Sequence, residues 1–275
     1  MTTPLPELGC YLLAGQPDSS RDLVAEVRDA EALGLGAAFI SERYNKKEAG
    51  ALCGAAGAAS ERIRIITAAT NHNTRHPMVT AGLARTMQSL TGGRFTLGLG
   101  RGIPALQDAF GIPRITTAEL EDFAGIMRRL FRGEAIFGHD GPAGSWPVLH
   151  LDSSLDEHLP LALVAFGDRT LELAGRCFDD VVLHTYFTDE VTARCVELVK
   201  NSAADASRRL LIASASSPTC GCGRASPPWA TTSPPRCGSR RRWAGSAPTC
   251  RATGSCWSAP TGGTGPCCNG SSPTR

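Results

Sequence analysis

Ser89–Gly102 reads SLTGGRFTLGLGRG, and the fold follows from how this stretch is divided. Upstream, Pro77 suits the first turn of a helix, and Val79, Leu83, Met87 and Leu90 recur at helical spacing. Gly92 and Gly93 stop that helix and turn the chain into Arg94–Leu99, a short apolar run of strand type. Glycine returns at Gly100 and Gly102, immediately after the run. A helix, a tight turn, a buried strand and a glycine-rich strand end form the repeating unit of a parallel α/β sheet.

The same unit recurs on both sides. Glu7–Leu13 is a candidate first strand. Asp18 to Ser20 can cap a following helix that carries Leu23, Val27, Ala30 and Leu33 on one face. Ala37–Ile40 and Ile63–Thr67 read as strands two and three, with a helical stretch around Ala49–Ala59 between them. Beyond the fourth strand, Thr116 and Glu119 form a capping box for a helix running to Phe131. Residues 134–151 carry Gly138, Gly141, Pro142 and Gly144 and read as an inserted hairpin. Leu161–Ala165 and Val181–His184 are strands five and six, and Thr188–Lys200 is helical. Six strands alternating with helices fit either a barrel or a doubly wound sheet. Both place their sites at the C-terminal ends of the strands.

The chain of 275 residues changes character near residue 206. No Asp, Glu or Lys follows Asp205, and every later charge is Arg. Cys220, Cys222, Cys237, Cys250, Cys256, Cys267 and Cys268 crowd this tail at spacings that do not suit zinc. Arg240, Arg241 and Arg242 beside Trp243 are a weak signal for nucleic acid. Abundant Pro, Ser, Arg, Cys and Gly is what a GC-rich gene yields when read out of frame. With suitable synonymous codons, several tail stretches shift into ordinary amphipathic sequence in one common frame. The expectation is a native-like domain over 1–206 and a frameshifted, disordered tail over 207–275. The switch is expected between Asp205 and Ser214, with strands seven and eight missing or scrambled. No apolar run approaches a membrane span, and no signal segment is evident. These features suggest a cytoplasmic protein with reduced thiols.

Three stretches together, SLTGGRFTLGLGRG, EALGLGAAFISER (Glu31–Arg43) and VAFGDRTLELAG (Val164–Gly175), resemble the luciferase-like monooxygenase superfamily, within it the coenzyme F420-dependent branch of actinobacteria. The resemblance covers roughly residues 7–205. It implies a (β/α)8 TIM barrel with a flavin or deazaflavin across its mouth. It implies further that Gly100, Arg101 and Gly102 cradle the cofactor phosphate, which a close backbone and a guanidinium favour chemically. Gly167, Arg169 and Thr170 open a helix whose free N–H groups suit an anion, with Phe166 beside them. Asp168 would repel a phosphate and reads as that helix's cap. Ser41, Ala69 and Thr70 fall at the ends of strands two and three. In the family a non-prolyl cis peptide lies there, expected at Ala68–Ala69 or Ala69–Thr70. Glu42 matches the family's acidic residue, but Arg43 stands where a His is frequent. Arg43 is read either as a site for an anionic substrate or as one side of a surface salt bridge. His72 and His184 are acid/base candidates, and His76 before Pro77 reads as a cap. Ile103 sits where related dehydrogenases carry Glu.

The expected activity is hydride transfer between coenzyme F420 and a small organic substrate. An FMN-dependent monooxygenase is the alternative, because both cofactors share a ring and a phosphate. The rival to both is a non-enzymatic, truncated product that cannot close its barrel and that aggregates or needs a partner chain. A homodimer is expected from the resemblance; neither a metal, a nucleic acid nor a membrane is expected as a partner.

Overall fold

In the computed structural model, described residues are 5–14, 19–152, 158–184, 186–203 and 211–214. Seven strands form one parallel sheet in the spatial order β1 (Leu5–Tyr11), β2 (Leu35–Ile40), β3 (Arg64–Thr67), β4 (Phe95–Leu99), β7 (Leu161–Val164), β8 (Asp180–Leu183) and β9 (Leu211–Ser214). Two further strands, β5 (Ile136–Gly141) and β6 (Gly144–Leu149), pair only with each other as an antiparallel hairpin. Helices α1 (Leu23–Ala32), α2 (Ala49–Ala58), α3 (Pro77–Thr91), α4 (Pro104–Phe110), α5 (Thr117–Phe131), α6 (Asp168–Cys177) and α7 (Asp189–Asn201) separate the parallel strands. This is the strand–helix alternation and inserted hairpin expected from sequence. The seventh parallel strand corrects the expectation that strand seven is missing or scrambled: Leu211–Ser214 pairs with Asp180–Leu183 in register. The remainder of the tail expectation, residues 207–210 and 215–275, lies outside the described residues.

Strand residues divide by parity, as a curled sheet requires. Ala37, Phe39, Ile66, Ala68, Ala162 and Val182 form one buried cluster inside the curl. Ala38, Ile40, Ile65, Leu97, Leu99, Leu161 and Leu163 join the larger core beneath the helices. The N-terminal end of the interior is polar. Arg64 donates to the Thr96 hydroxyl at 2.7 and 3.0 Å and pairs with Asp180, which joins β3, β4 and β8. At Gly98 a Cβ would meet the Thr67 carbonyl at 1.8 Å. Here β3 and β4 are sealed instead by the Thr67 hydroxyl, which donates to the Gly98 carbonyl and accepts from the Gly98 N–H.

The helix ends follow local chemistry. Thr116 and Glu119 make the expected reciprocal cap on α5. His76 Nδ1 accepts from the Met78 N–H, and Gly92 closes α3 at φ 60°. On α1, Leu23, Val27 and Ala30 are buried as expected, while Leu33 is exposed. The apolar stripe assigned to α3 holds only in part: Met87 is buried and Leu83 packs against the core. Val79 and Leu90 are exposed, and the buried face is Thr80, Ala81, Ala84, Arg85, Met87, Gln88 and Thr91. Ala81 and Ala84 let α3 pack close against the sheet and α2.

Candidate active site at the C-terminal ends of the strands

A cavity of about 640 Å³ opens at the C-terminal ends of the parallel strands. It draws residues from the ends of β1 (Tyr11), β2 (Ser41–Tyr44), β3 (Ala68, Ala69, Asn71), β4 (Gly100–Ile103), β7 (Val164, Phe166, Gly167) and β8 (Leu183, His184). Its place is the one a parallel α/β sheet reserves for chemistry.

On the β4 and β7 side, Gly100, Gly102 and Gly167 bring the main chain to the cavity wall, between the side chains of Arg101, Ile103, Val164 and Phe166. The Ala68–Ala69 peptide is cis, as anticipated at one of two positions. A Cβ on Gly100 would meet the Ala69 Cβ at 2.8 Å. Gly102 has φ 77°, and a Cβ there would meet the Tyr44 hydroxyl at 2.9 Å. Asn71 fixes this corner: its Nδ2 donates to the Gly100 carbonyl at 2.6 Å, and its Oδ1 accepts from the Tyr44 hydroxyl at 2.6 Å. Gly167 is the N-cap of α6, supplies no side-chain hydrogen bond to it, and faces open space. Asp168 does not cap that helix, contrary to expectation. It pairs with Arg194 of α7 at 2.9 Å, leaving the first N–H groups of α6 without a side-chain acceptor.

The opposite side is built from side chains. Arg43 lies in a turn closed by reciprocal backbone bonds with Lys47. Lys47 is buried and donates to the Leu13 carbonyl at 2.7 Å; burial and the Arg43 charge lower its pKa. Burial pushes the Tyr11 phenol up to about 12, opposed by nearby Arg43, so the phenol keeps its proton at neutral pH. The Tyr11 ring is steadied against Phe39 at 5.5 Å. The Arg43 guanidinium has neither a carboxylate nor a hydrogen-bond partner among the described residues, so the salt-bridge reading of Arg43 is not supported.

Of the residues singled out from sequence, Ser41, Glu42, Ala69, Gly100, Arg101, Gly102, Phe166, Gly167, Thr170 and His184 line this cavity. Thr70, Arg169 and His72 do not. Thr70 is fully buried beneath the floor, where its hydroxyl bonds Glu42 and Arg75. Arg169 is exposed and is not among the lining residues. His72 is buried against Phe123 of α5 at 5.1 Å, away from the lining, with its Nε2 unpartnered. Desolvation lowers its pKa, which keeps it neutral.

Two residues line the cavity with their polar groups already engaged. Glu42 accepts from the Ala49 N–H at 3.2 Å, the Thr70 hydroxyl at 3.0 Å and Arg75 at 3.0 Å, so it anchors α2 rather than offering a free base. Arg101 donates to the Ile115 carbonyl at 2.7 Å and to the Thr117 hydroxyl, which ties the strand end to the start of α5. His184 is placed differently. Its Nδ1 accepts from the Tyr186 N–H at 3.1 Å, which sets the neutral ring in the Nε2–H form. Phe166 packs edge-on to that ring at 5.0 Å. Tyr11, Tyr44, Asn71 and Tyr186 were not picked out from sequence, although each stands at or just beyond a strand end.

Comparison with known proteins agrees with this architecture. A 5,10-methylenetetrahydromethanopterin reductase of Methanolobus tindarius is 30% identical over 159 residues, 56% of this chain and 47% of that protein. An F420-dependent glucose-6-phosphate dehydrogenase of Beutenbergia cavernae is 29% identical over 185 residues, 62% of this chain and 55% of that protein. The chain therefore spans about half the length of these relatives. Among solved structures, the coenzyme F420-dependent tetrahydromethanopterin reductase of Methanopyrus kandleri superposes with a TM-score of 0.65 at 19% identity, covering 74% of this chain and 64% of that one. The FMN-bound oxygenating constituent of 3,6-diketocamphane monooxygenase from Pseudomonas putida superposes at 0.61 with 20% identity, covering 76% and 64%. Both show the fold. The luciferase-like monooxygenase family matches residues 4–225, a span that includes every cavity residue above and strand β9. With its strand-end glycines, cis Ala68–Ala69 peptide and curled parallel sheet, this chain belongs to the luciferase-like monooxygenase family.

Proposed function

We propose that this chain is an oxidoreductase that binds coenzyme F420 in the strand-end cavity and acts on a small organic substrate there. The single observation behind this reading is the glycine-bearing wall of the cavity. Gly100 and Gly102 leave no room for side chains, and the uncapped N-terminus of α6 stands beside them across the cavity lining. Such a wall suits a flat ring with a phosphate: the glycines admit the ring's edge, and the free N–H groups at the start of α6 suit the anion. When bound, F420 supplies hydride transfer at its ring. The protein's part is to orient, to exclude water and to hold a proton. Tyr44 and Asn71 fix the Gly100 main chain. Phe166 shields the β7 side, and the His184 Nε2–H is the candidate proton donor to a substrate oxygen. The relatives named for F420 favour this cofactor.

FMN is the second reading, favoured by the FMN-bound structural neighbour; the wall described above suits either ring and phosphate. The test is a side-by-side titration of the purified full chain with F420 and with FMN, after its intact mass is checked. Tight saturable binding of F420, with FMN at least about a hundredfold weaker, is expected. FMN binding alone would replace the reading with a monooxygenase. Binding of neither would leave a chain of this family without its activity.

A further inference from the structure

Arg43 remains unexplained by a cofactor held on β4 and β7. Of the cations near the cavity, Lys47 is held by the Leu13 carbonyl, Arg75 by Glu42 and Glu48, and Arg101 by Ile115 and Thr117. Among the described residues, Arg43 alone of these four has a guanidinium without a hydrogen-bond or carboxylate partner. The turn with Lys47 fixes its main chain, so little conformational freedom is lost when a ligand binds. Among the described residues, the one carboxylate lining the cavity, Glu42, is already held by Arg75, Thr70 and the α2 N-terminus. The mouth beside β1 and β2 is thus a positive wall, with a protonated phenol, Tyr11, as a second donor. In the sheet, β3 lies between β2 and the glycine cradle at β4. An anion at Arg43 is therefore separate from a phosphate at the cradle.

Building on the cavity reading above, we infer that the substrate carries a carboxylate or similar planar anion, which Arg43 and Tyr11 bind on the β1–β2 side of the mouth. A guanidinium offers a carboxylate two parallel N–H groups, and a phenol adds a third donor. A neutral substrate would leave the Arg43 charge half-buried and uncompensated.

The experiment is arginine footprinting of the full chain with phenylglyoxal, with modification at Arg43 read by peptide mass spectrometry. Benzoate is the anionic probe and benzamide its neutral counterpart. Arg43 is modified in the free protein, benzoate slows that modification about threefold or more, and benzamide does not. Adding F420 leaves the benzoate protection in place. Complete protection by F420 alone would assign Arg43 to the cofactor's own anion and overturn the proposal. Equal protection by benzamide, no protection by benzoate, or an Arg43 that phenylglyoxal does not reach would overturn it too. In Arg43→Gln, followed by saturation-transfer NMR, the preference for benzoate over benzamide disappears; a retained preference would move the anion site elsewhere. The benzoate arm needs no cofactor, so a failed F420 titration and a failed anion site remain distinguishable.

Discussion

The cavity has two unlike walls. Along β4 and β7 glycines bring the main chain to the surface beside Val164 and Phe166, and the one guanidinium there, Arg101, is engaged; along β1 and β2 it presents the Arg43 guanidinium and the Tyr11 phenol. The first wall recognises by shape, because a backbone brought close can serve any flat ring with a phosphate. The second recognises by charge, and a charged wall discriminates among partners. The proposals above divide along the same line. Cofactor binding is proposed for the glycine-bearing wall, and substrate choice for the wall that carries Arg43.

Substitutions separate the two walls. Gly100→Val should have the largest effect, because even a Cβ at that position comes within 2.8 Å of Ala69. Cofactor affinity is expected to fall by about a hundredfold or more, equivalent to ~3 kcal/mol, with the benzoate protection of Arg43 retained. Equal loss at both walls would mean that they are not independent. Glu42→Ala acts on the frame between them. Removing one partner of a buried network costs about 2–3 kcal/mol here, since Arg75 keeps Glu48. The melting temperature should drop by roughly 5–10 °C. A large fall in turnover without that thermal loss would restore Glu42 as a catalytic group.

His184→Asn is expected to lower turnover by about a hundredfold at the pH optimum while F420 affinity changes little. An unchanged rate would remove His184 as proton donor. The smallest effect belongs to His72, which lies outside both walls. Its folded pKa sits below the ordinary value of 6.5 because burial disfavours the cation. Above 6.5 the ring is neutral whether folded or unfolded. As the pH falls below 6.5, the unfolded chain takes up a proton that the folded chain refuses, and stability declines. His72→Leu should flatten that part of the stability–pH curve, measured by urea denaturation at pH 7.5 and 5.5. An unchanged slope would show that His72 titrates normally.

Local pattern made much of this legible. Alternating apolar runs and helices located the first six parallel strands, and capping chemistry at Thr116, His76 and Gly92 located helix ends, because those signals act over a few residues. Most of the cavity residues were legible too, since a parallel sheet puts its working residues just past its strands. Failures came where distant segments meet. The α3 face was misjudged in part: Val79 and Leu90 are exposed, while Ala81 and Ala84 pack close against the sheet and α2. Glu42 and His72 looked chemically available, yet one is enclosed by Arg75 and α2 and the other by Phe123 of α5. Asp168 looked like a cap, yet the helix starts one residue earlier than a cap at Asp168 requires: Gly167 is the N-cap, and the Asp168 carboxylate pairs with Arg194 on the next helix.

By itself, the sequence determined that this chain makes a parallel α/β sheet with glycine-lined strand ends, and that its composition changes near residue 206. Periodicity, turn residues and composition are properties of neighbouring positions, and a chain carries them before it folds. Only the tertiary structure decided which polar groups remain available: Glu42, Arg101 and Lys47 are engaged, while Arg43 and His184 line the cavity and, among the described residues, the Arg43 guanidinium has no partner. The reason is that a charged group's role depends on what lies within a few ångströms of it, and those neighbours come from strands and helices far apart in the chain.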